Sequence, residues 1–261
     1  MIRVSTVALR SGWIRLLPFG SRSAGLATWS AQVEARYQIL ETARKEGGAV
    51  AVSRLLAPGQ RFVPTASSFT IKAVLSGENL RGFFSTLIAG SAGAWIRGEL
   101  GNRVTCDLDQ SWVRRQYAPR NYPSLHAPHG WHQDGALKFD FLLQRDRGIP
   151  RDAMLPMVTC WIALGACGED APGLEIVTRR LDGLLAPAEL REAVVRARFA
   201  SEEFCQPVLA AGDALLFRGD LLHRTHVTPA MTKDRTRLEL RFFPASEIPK
   251  RLRGDRMIPL D

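Results

Sequence analysis

A histidine and an aspartate, His132 and Asp134, stand two positions apart near the middle of the chain, and His223 follows far downstream. Side chains on a β-strand alternate between faces, so residues i and i+2 point the same way. We interpret residues 132–143 as a strand that aims one imidazole and one carboxylate at a single point. A fold that also brings His223 there would complete the two-histidine, one-carboxylate set. That set holds non-haem Fe(II) and leaves coordination positions open.

A His-x-Asp tripeptide alone is more typical of an ordinary, partly buried histidine bonded to an aspartate, and it is the sequence around His223 that favours the metal site. A turn and a short apolar strand at Gly212–Phe217 precede His223, and a strictly alternating segment, Arg235–Phe242, follows it. His126 and His129 lie in a loop with two prolines, which argue against a helix, so we expect them near the mouth of a site and not as ligands.

The order of these features resembles the phytanoyl-CoA dioxygenase family of Fe(II)- and 2-oxoglutarate-dependent oxygenases. The family pattern is a His-x-Asp, then a segment of the form GD…F…H, then an arginine about one strand further on. The resemblance covers residues 105–245. It implies an Fe(II) site made by His132, Asp134 and His223, with 2-oxoglutarate as co-substrate and O2 as oxidant. His226 is the rival to His223, and the family spacing from Phe217 selects His223.

The resemblance also implies which residues bind 2-oxoglutarate. The far carboxylate needs a guanidinium; Arg235 and Arg237 share one strand face, and the family register selects Arg235. The alternative for both arginines is a solvent-facing strand edge paired with Glu239. By the same analogy, further positions contact the co-substrate: Thr225, Trp161 and Gln116, and less directly Arg114.

The implied reaction is hydroxylation of a small organic substrate, with decarboxylation of 2-oxoglutarate to succinate and CO2. Related halogenases lack the carboxylate ligand, whereas Asp134 is present here, so hydroxylation or a related oxidation is expected and halogenation is not. The competing hypothesis is a non-catalytic jelly-roll protein that binds a small molecule. Such a protein has no need of three metal ligands and an arginine.

Lys138 is a candidate substrate contact, because positions 134, 136, 138 and 140 share one face if the strand from His132 continues regularly. Its ammonium would then pair with an anionic group of the substrate. Two other possibilities stay open: Lys138 pairs with Asp140, or its stem reaches solvent at the barrel rim.

Short strands separated by turn signals, with helices at the start and one late helix, predict a mainly β fold. The predicted architecture is a double-stranded β-helix, a cupin-type jelly roll with N-terminal and peripheral helices. We expect a single domain over residues 34–261, with a helical part at 34–100 and a surface tail at 244–261. Residues 1–33 contain four arginines and no acidic residue, which suggests a disordered basic arm or an organellar transit peptide.

The chain has 261 residues, 46% of them hydrophobic, and a formal net charge of +9. The charge is dispersed and mostly arginine, with no nucleic-acid reading motif, so a solvated surface is expected and a nucleic-acid partner is not. No apolar run is long enough to span a membrane. The four cysteines have no C-x-x-C spacing and are predicted to be free thiols, which fits a reducing, cytoplasmic setting. The oligomeric state is left open.

Overall fold

The computed structural model describes residues 14–18, 24–56, 67–71, 78–120, 128–138, 154–181, 183–248 and 256–260. The helices are α1 Ala24–Arg54, α2 Glu78–Ala89, α3 Ser91–Leu100 and α4 Glu192–Arg198. The strands are β1 Ile14–Pro18, β2 Ser68–Ile71, β3 Val104–Asp107, β4 Trp112–Gln116, β5 Val158–Ala163, β6 Gly173–Val177, β7 Phe204–Cys205, β8 Asp213–Arg218, β9 His223–His226, β10 Arg235–Pro244 and β11 Met257–Pro259. Gly48, at φ 64°, interrupts the regular helical geometry of α1.

Two antiparallel sheets form the body of the protein, and the predicted mainly β jelly roll is confirmed. The larger sheet has eight strands in the order β1-β8-β5-β10-β3-β11, with β4 pairing β10 and β2. The smaller sheet has the order β7-β6-β9. Strand β10 is the centre of the larger sheet, because β5 pairs along one edge while β4 and β3 share the other.

The larger sheet buries both of its faces, and they differ in chemistry. On the outer face, Leu238, Leu240 and Phe242 of β10 join a core with side chains of α1, α2 and α3. On the inner face, Trp161 of β5 packs with Leu174 and Ile176 of the smaller sheet. Because side chains alternate along a strand, the inner face also carries the polar residues of β10, which are Arg235, Arg237, Glu239 and Arg241.

The segment after His132 differs from the prediction. It is not a strand: residues 134–138 form a 3-10 helix, and residues 139–143 lie outside the described ranges. A backbone bond from Gly135 N to Gly219 O and one from Ala136 N to Gln133 O curl the chain there. The alternation argument for Asp134 and Lys138 was therefore wrong in its premise.

Two other stretches of the chain are each divided into two elements. Residues 105–117 are two strands, because the Asp107 carboxylate accepts hydrogen bonds from Asp109 N and Gln110 N and turns the chain between them. Residues 187–199 comprise a 3-10 helix, Pro187–Leu190, and then α4, with Arg191 in extended conformation between the two.

Both ends of the described chain join the larger sheet. Strand β1 pairs with β8 and α1 begins at Ala24, so these parts of the predicted N-terminal arm belong to the fold. Strand β11 pairs with β3, and Leu260 is buried beside it, so the end of the predicted surface tail does too. The edge of a strand offers unpaired N–H and C=O groups, and β1 and β11 cover the edges of β8 and β3. Residues 1–13 and 249–255 lie outside the described ranges.

Two further observations bear on the sequence predictions. Cys106, Cys160, Cys167 and Cys205 are all buried and free, as expected, and burial raises the pKa of each thiol. Within the described helices, none combines the length and the apolar character needed to cross a bilayer.

Candidate metal centre

His132, Asp134 and His223 come together as the sequence predicted. One ligand atom from each lies within 4.8 Å of the other two. Nε2 of His132 is 3.8 Å from Oδ1 of Asp134, and the two imidazole rings are 4.1 Å apart at their centroids. Two imidazoles and one carboxylate at this spacing are a donor set suited to a divalent transition metal, with Fe(II) as the usual choice for that set.

Backbone pairing creates this convergence. His132 N donates to His223 O at 2.9 Å and His223 N donates to His132 O at 3.1 Å, so the two histidines face each other across an antiparallel bridge. The next turn brings Gly135 against Gly219, where a Cβ on Gly219 would lie 2.8 Å from Gly135 Cα. Only glycine at both positions allows this approach, which holds Asp134 beside the bridge.

Both imidazoles are oriented by backbone carbonyls. Nδ1 of His132 lies 2.8 Å from Gly130 O, and Nδ1 of His223 lies 3.0 Å from Leu221 O. A carbonyl oxygen only accepts, so each Nδ1 carries the proton and donates. Each Nε2 is left with its lone pair, which is the arrangement that a metal ligand requires.

Asp134 is a buried, ionised carboxylate. Burial alone would raise its pKa, but Arg241, the two histidines and Thr159 outweigh burial and hold the pKa well below its ordinary value. Thr159 Oγ1 donates to Oδ2 at 2.6 Å, and Arg241 Nη2 donates to Oδ1 at 3.2 Å. The pKa of His132 is lowered well below its ordinary value by burial and by neighbouring His223, so this ring is neutral and able to ligate at neutral pH.

His226 does not compete for this role. It lies three positions beyond His223 on β9, and alternation directs it to the opposite face of the smaller sheet. His223 and Thr225 share the inner face, where they pair in register with Ile176 and Leu174 of the inner core.

A cavity of about 450 Å³ opens beside the triad. His132 and Asp134 lie in its wall. One part of the wall is polar and aromatic, with Trp112, Arg114, Arg237, Glu239 and Arg241. Another part is mainly apolar, with Trp131, Ala136, Leu185, Pro187 and Leu190. A volume in this range suits a small organic ligand, since such sites typically measure about 300–1,000 Å³.

Of the five residues predicted to contact a co-substrate, Arg114 lines this cavity, whereas the other four lie inside the barrel and do not. Arg235 is fully buried, its guanidinium 5.2 Å from the Trp161 ring, and Nη1 donates to Gly173 O at 2.8 Å. Gln116 lies opposite Arg235 in register, but its Nε2 donates to Ser67 O. Thr225 is buried on the inner face. The alternative of a solvent-facing edge fails for Arg235 and Arg237, because both are buried.

Unpaired hydrogen-bond donors are concentrated on this side of the larger sheet. Among the described residues of this face, seven buried nitrogens have no protein acceptor: Trp112 Nε1, Trp161 Nε1, Arg235 Nε and Nη2, Arg237 Nε, and Arg241 Nε and Nη1. Buried polar groups are normally paired, so a cluster of unpaired donors indicates a site for ligands that are rich in hydrogen-bond acceptors. Anions of organic acids meet that description.

The remaining sequence predictions have mixed outcomes. His129 lines the cavity, its ring 4.0 Å from that of His132, while His126 lies outside the described residues. The backbone of Lys138 ends the 3-10 helix, and the placement of its side chain lies outside what the structure describes. Its predicted contact with substrate therefore stays a prediction without the strand on which it was based.

Three residues of the site escaped the sequence analysis. Arg241 and Thr159 hold the Asp134 carboxylate. Gln133 connects the triad loop to its surroundings, since it donates to Gly183 O and Asp220 O and accepts from Leu185 N. Alternation along β10 was a signal for Arg241, which shares a face with Arg235 and Arg237. Neither Thr159 nor Gln133 has a comparable signal.

Comparison with known proteins places the fold. No protein-family model matches the chain, and no curated protein matches it in sequence. Solved structures do match. The non-haem α-ketoglutarate-dependent epimerase SnoN from nogalamycin biosynthesis superposes with a TM-score of 0.58 at 13% identity, over 98% of this chain and 97% of that one. The fold is therefore shared with a non-haem α-ketoglutarate-dependent enzyme.

Two further solved structures agree. The iron-bound EctD from S. alaskensis gives a TM-score of 0.55 at 16% identity, covering 96% of this chain and 80% of that one. The carbocyclase SnoK from nogalamycin biosynthesis, also α-ketoglutarate-dependent, gives 0.55 at 14% identity, covering 94% and 85%. At such identities the likeness establishes the fold, and the argument for function rests on the side chains of the site.

Proposed function

We propose that this chain is a non-haem Fe(II)- and 2-oxoglutarate-dependent dioxygenase of the phytanoyl-CoA dioxygenase type, which hydroxylates a small organic substrate. The observation that carries the proposal is the triad of His132, Asp134 and His223 beside a cavity of about 450 Å³. Two oriented imidazoles and one ionised carboxylate leave positions open on one side of a bound metal. Iron(II) held there would supply the oxidising chemistry, with O2 as oxidant and 2-oxoglutarate leaving as succinate and CO2.

The protein's own part is to orient the ligands and the two organic molecules. The carbonyls of Gly130 and Leu221 fix the tautomers of the histidines, and Thr159 and Arg241 fix the carboxylate. The apolar wall of the cavity keeps bulk water from the reacting carbon. The substrate is held with one C–H bond toward the open side of the triad, so that orientation selects the carbon that is oxidised.

Arg235 is proposed to anchor the distal carboxylate of 2-oxoglutarate, with Thr225, Trp161 and Gln116 around it. The support comes from its unpaired nitrogens. Nε and Nη2 form one edge of the guanidinium and lack acceptors, while Nη1 is tied to Gly173 O. An edge of two parallel N–H groups matches a carboxylate, and the stacking on Trp161 orients that edge.

Hydroxylation is the proposed outcome because Asp134 supplies the carboxylate ligand that related halogenases lack. The epimerase SnoN and the carbocyclase SnoK share the fold, so epimerisation and ring formation are the alternative outcomes to distinguish. Product analysis therefore belongs to the test. A chlorinated product from the wild-type protein would contradict the proposal.

The decisive experiment is an anaerobic Fe(II) titration followed by measurement of succinate release with 2-oxoglutarate and O2. The wild type should bind one equivalent of Fe(II) and release succinate, and His223→Ala should do neither. The matched control is His226→Ala, which removes an imidazole from the same strand on the opposite face. A chain that binds no Fe(II), or that loses it in His226→Ala but not in His223→Ala, would refute the assignment.

A further inference from the structure

The inner face of the larger sheet carries more positive than negative charge. Four guanidinium groups lie on it, and two carboxylates face them: Arg114, Arg235, Arg237 and Arg241 against Asp134 and Glu239. Arg241 pairs with both carboxylates through one nitrogen, with Nη2 at 3.2 Å from Asp134 Oδ1 and 2.8 Å from Glu239 Oε1. A divalent metal and a dianionic co-substrate would cancel each other, so the excess of two positive charges would remain.

Arg114 and Arg237 are a pair of neighbouring charges that share only one carboxylate, that of Glu239. They lie directly opposite each other in the β4–β10 register, where like charges repel and destabilise a sheet. Arg237 shares the single carboxylate of Glu239 with Arg241, and its Nε has no acceptor. Arg114 donates from Nε to Thr70 Oγ1, a neutral group. Burial, together with the charge of Arg237, lowers the pKa of Arg114 to about 10.

Both arginines line the cavity beside the metal ligands, whereas Arg235 does not. The residues that complete the wall are mainly apolar, with Leu185, Pro187 and Leu190 contributed by the segment that leads into α4. A ligand that fills this space therefore meets two guanidinium groups in one region and aliphatic surface in another. The wall is therefore complementary to a molecule with an acidic group and an apolar body.

We infer that Arg114 and Arg237 form the recognition site for an anionic group of the substrate, a carboxylate or a phosphate, whose apolar body lies against Leu185, Pro187 and Leu190. The inference rests on the proposed function, because it takes the cavity beside the triad as the substrate site. Two guanidinium groups facing each other can bind such an oxyanion through several charge-assisted hydrogen bonds. The anion would also relieve the repulsion between the two arginines.

The test uses calorimetric titration of the full-length protein with three probes of one shape: 2-naphthoic acid, 2-naphthyl phosphate and neutral 2-naphthamide. Titrations are made on the metal-free protein and, without O2, on the protein loaded with Fe(II) and 2-oxoglutarate. At least one of the two anions should bind about tenfold or more tightly than the amide, and the better one identifies the group as carboxylate or phosphate. Arg114→Gln and Arg237→Gln should each weaken that anion about tenfold or more and leave the amide unchanged.

Arg81→Gln is the matched control, since it removes an exposed arginine of α2 and should change nothing. Arg114→Lys and Arg237→Lys keep the charge and should restore part of the affinity, which separates recognition from a general folding defect. Equal binding of anions and amide by the wild type would overturn the inference. So would a loss of 2-oxoglutarate affinity in both glutamine variants without a loss of anion affinity, because the pair would then serve the co-substrate.

Failure of the inference and failure of the proposed function give different results. If Fe(II) binding and succinate release are intact but anions and amide bind alike, only the anion site is refuted. If the anions bind through Arg114 and Arg237 but the protein holds no Fe(II), the proposed oxygenase function is refuted and the anion site stands.

Discussion

Arg241 and Asp134 form a buried ion pair, with Nη2 3.2 Å from Oδ1 and each side chain 4% exposed. The same guanidinium bonds Glu239, so one cation serves two carboxylates, one of them a predicted metal ligand. The carboxylate of Asp134 is thus positioned and ionised by protein groups alone, through Arg241 and Thr159.

Replacement of Arg241 by methionine should lower the free energy of unfolding of the metal-free protein by about 3–5 kcal/mol, because two buried carboxylates lose their shared partner. Urea denaturation measures the change. Arg256→Met is the control, since it breaks a half-exposed pair with Asp109 and should cost only about 0–1 kcal/mol. Saturating Zn(II) should recover part of the Arg241→Met deficit, because a cation at the triad replaces the missing charge. Equal deficits in the two variants would contradict this account.

Arg235→Gln should weaken 2-oxoglutarate binding at least about tenfold, in keeping with the ~2–5 kcal/mol cost of truncating one partner of a buried charge pair. Arg237→Gln should have a much smaller effect, because Arg237 is bonded to Glu239 and lines the cavity. Anaerobic calorimetry with Fe(II)-loaded protein gives both constants. A large loss of 2-oxoglutarate affinity in Arg237→Gln, with Arg235→Gln near wild type, would identify Arg237 and not Arg235 as the anchor.

Gln133→Leu should destabilise the protein by roughly 1–3 kcal/mol, because three backbone groups lose their partner, among them the buried N–H of Leu185. Hydrogen exchange at Leu185 N–H should accelerate with it, since the Gln133 Oε1 acceptor at 2.6 Å is gone. Gln206→Leu, at an exposed position with one side-chain bond to Glu175, serves as the control. Unchanged exchange at Leu185 would show that Gln133 does not hold this segment.

Glu175 should make stability depend on pH. Burial would raise its pKa, but hydrogen bonds and charge from Arg196, Arg224 and Gln206 lower it below the ordinary value of 4.5. A carboxyl whose pKa is depressed by folding contributes stability above its unfolded pKa and loses it as pH falls through the folded value. Glu175→Gln should therefore cost roughly 1.5–3 kcal/mol at pH 7, and the gap to wild type should narrow as the pH falls below the ordinary pKa of 4.5.

Unfolding free energies at pH 7 and pH 3.5 test this. Glu46→Gln removes an exposed carboxylate of α1 and should leave the pH dependence as in the wild type. A gap between Glu175→Gln and wild type that is the same at both pH values would exclude a titrating contribution from Glu175.

The convergence of His132, Asp134 and His223 was predictable from the sequence, although one step of the reasoning was not sound. His132 and Asp134 converge because a turn follows His132, not because a strand continues. Residues two positions apart lie close together in several local geometries. The predicted convergence was therefore correct even though the predicted strand was not. The distal ligand depended on the spacing from Phe217, and the structure places His223 and His226 on opposite faces of β9.

The electrostatic environment of the site could not be predicted from the sequence. Arg241 and Glu239 share a strand face with Arg235, but alternation does not say whether that face meets solvent or the interior of a barrel. The pairing of β1 with β8 and of β11 with β3 joins segments far apart in the chain, and no local pattern marks such partners. The hydrogen bonds between Gln133 and the backbone of residues 183–185 also join distant parts of the chain, and no local pattern marks them.

The composition of β10 also protects the chain against misassembly. Its residues alternate between charged and uncharged from Arg235 to Phe242, and nearly all of them are buried. A slip of one residue against β5 would push four charged side chains among the helices and turn the leucines toward the metal site. Each buried, unpaired charge costs several kcal/mol, so the shifted pairing would be much less stable than the native one. The residues that serve chemistry thereby also enforce the correct assembly of the barrel.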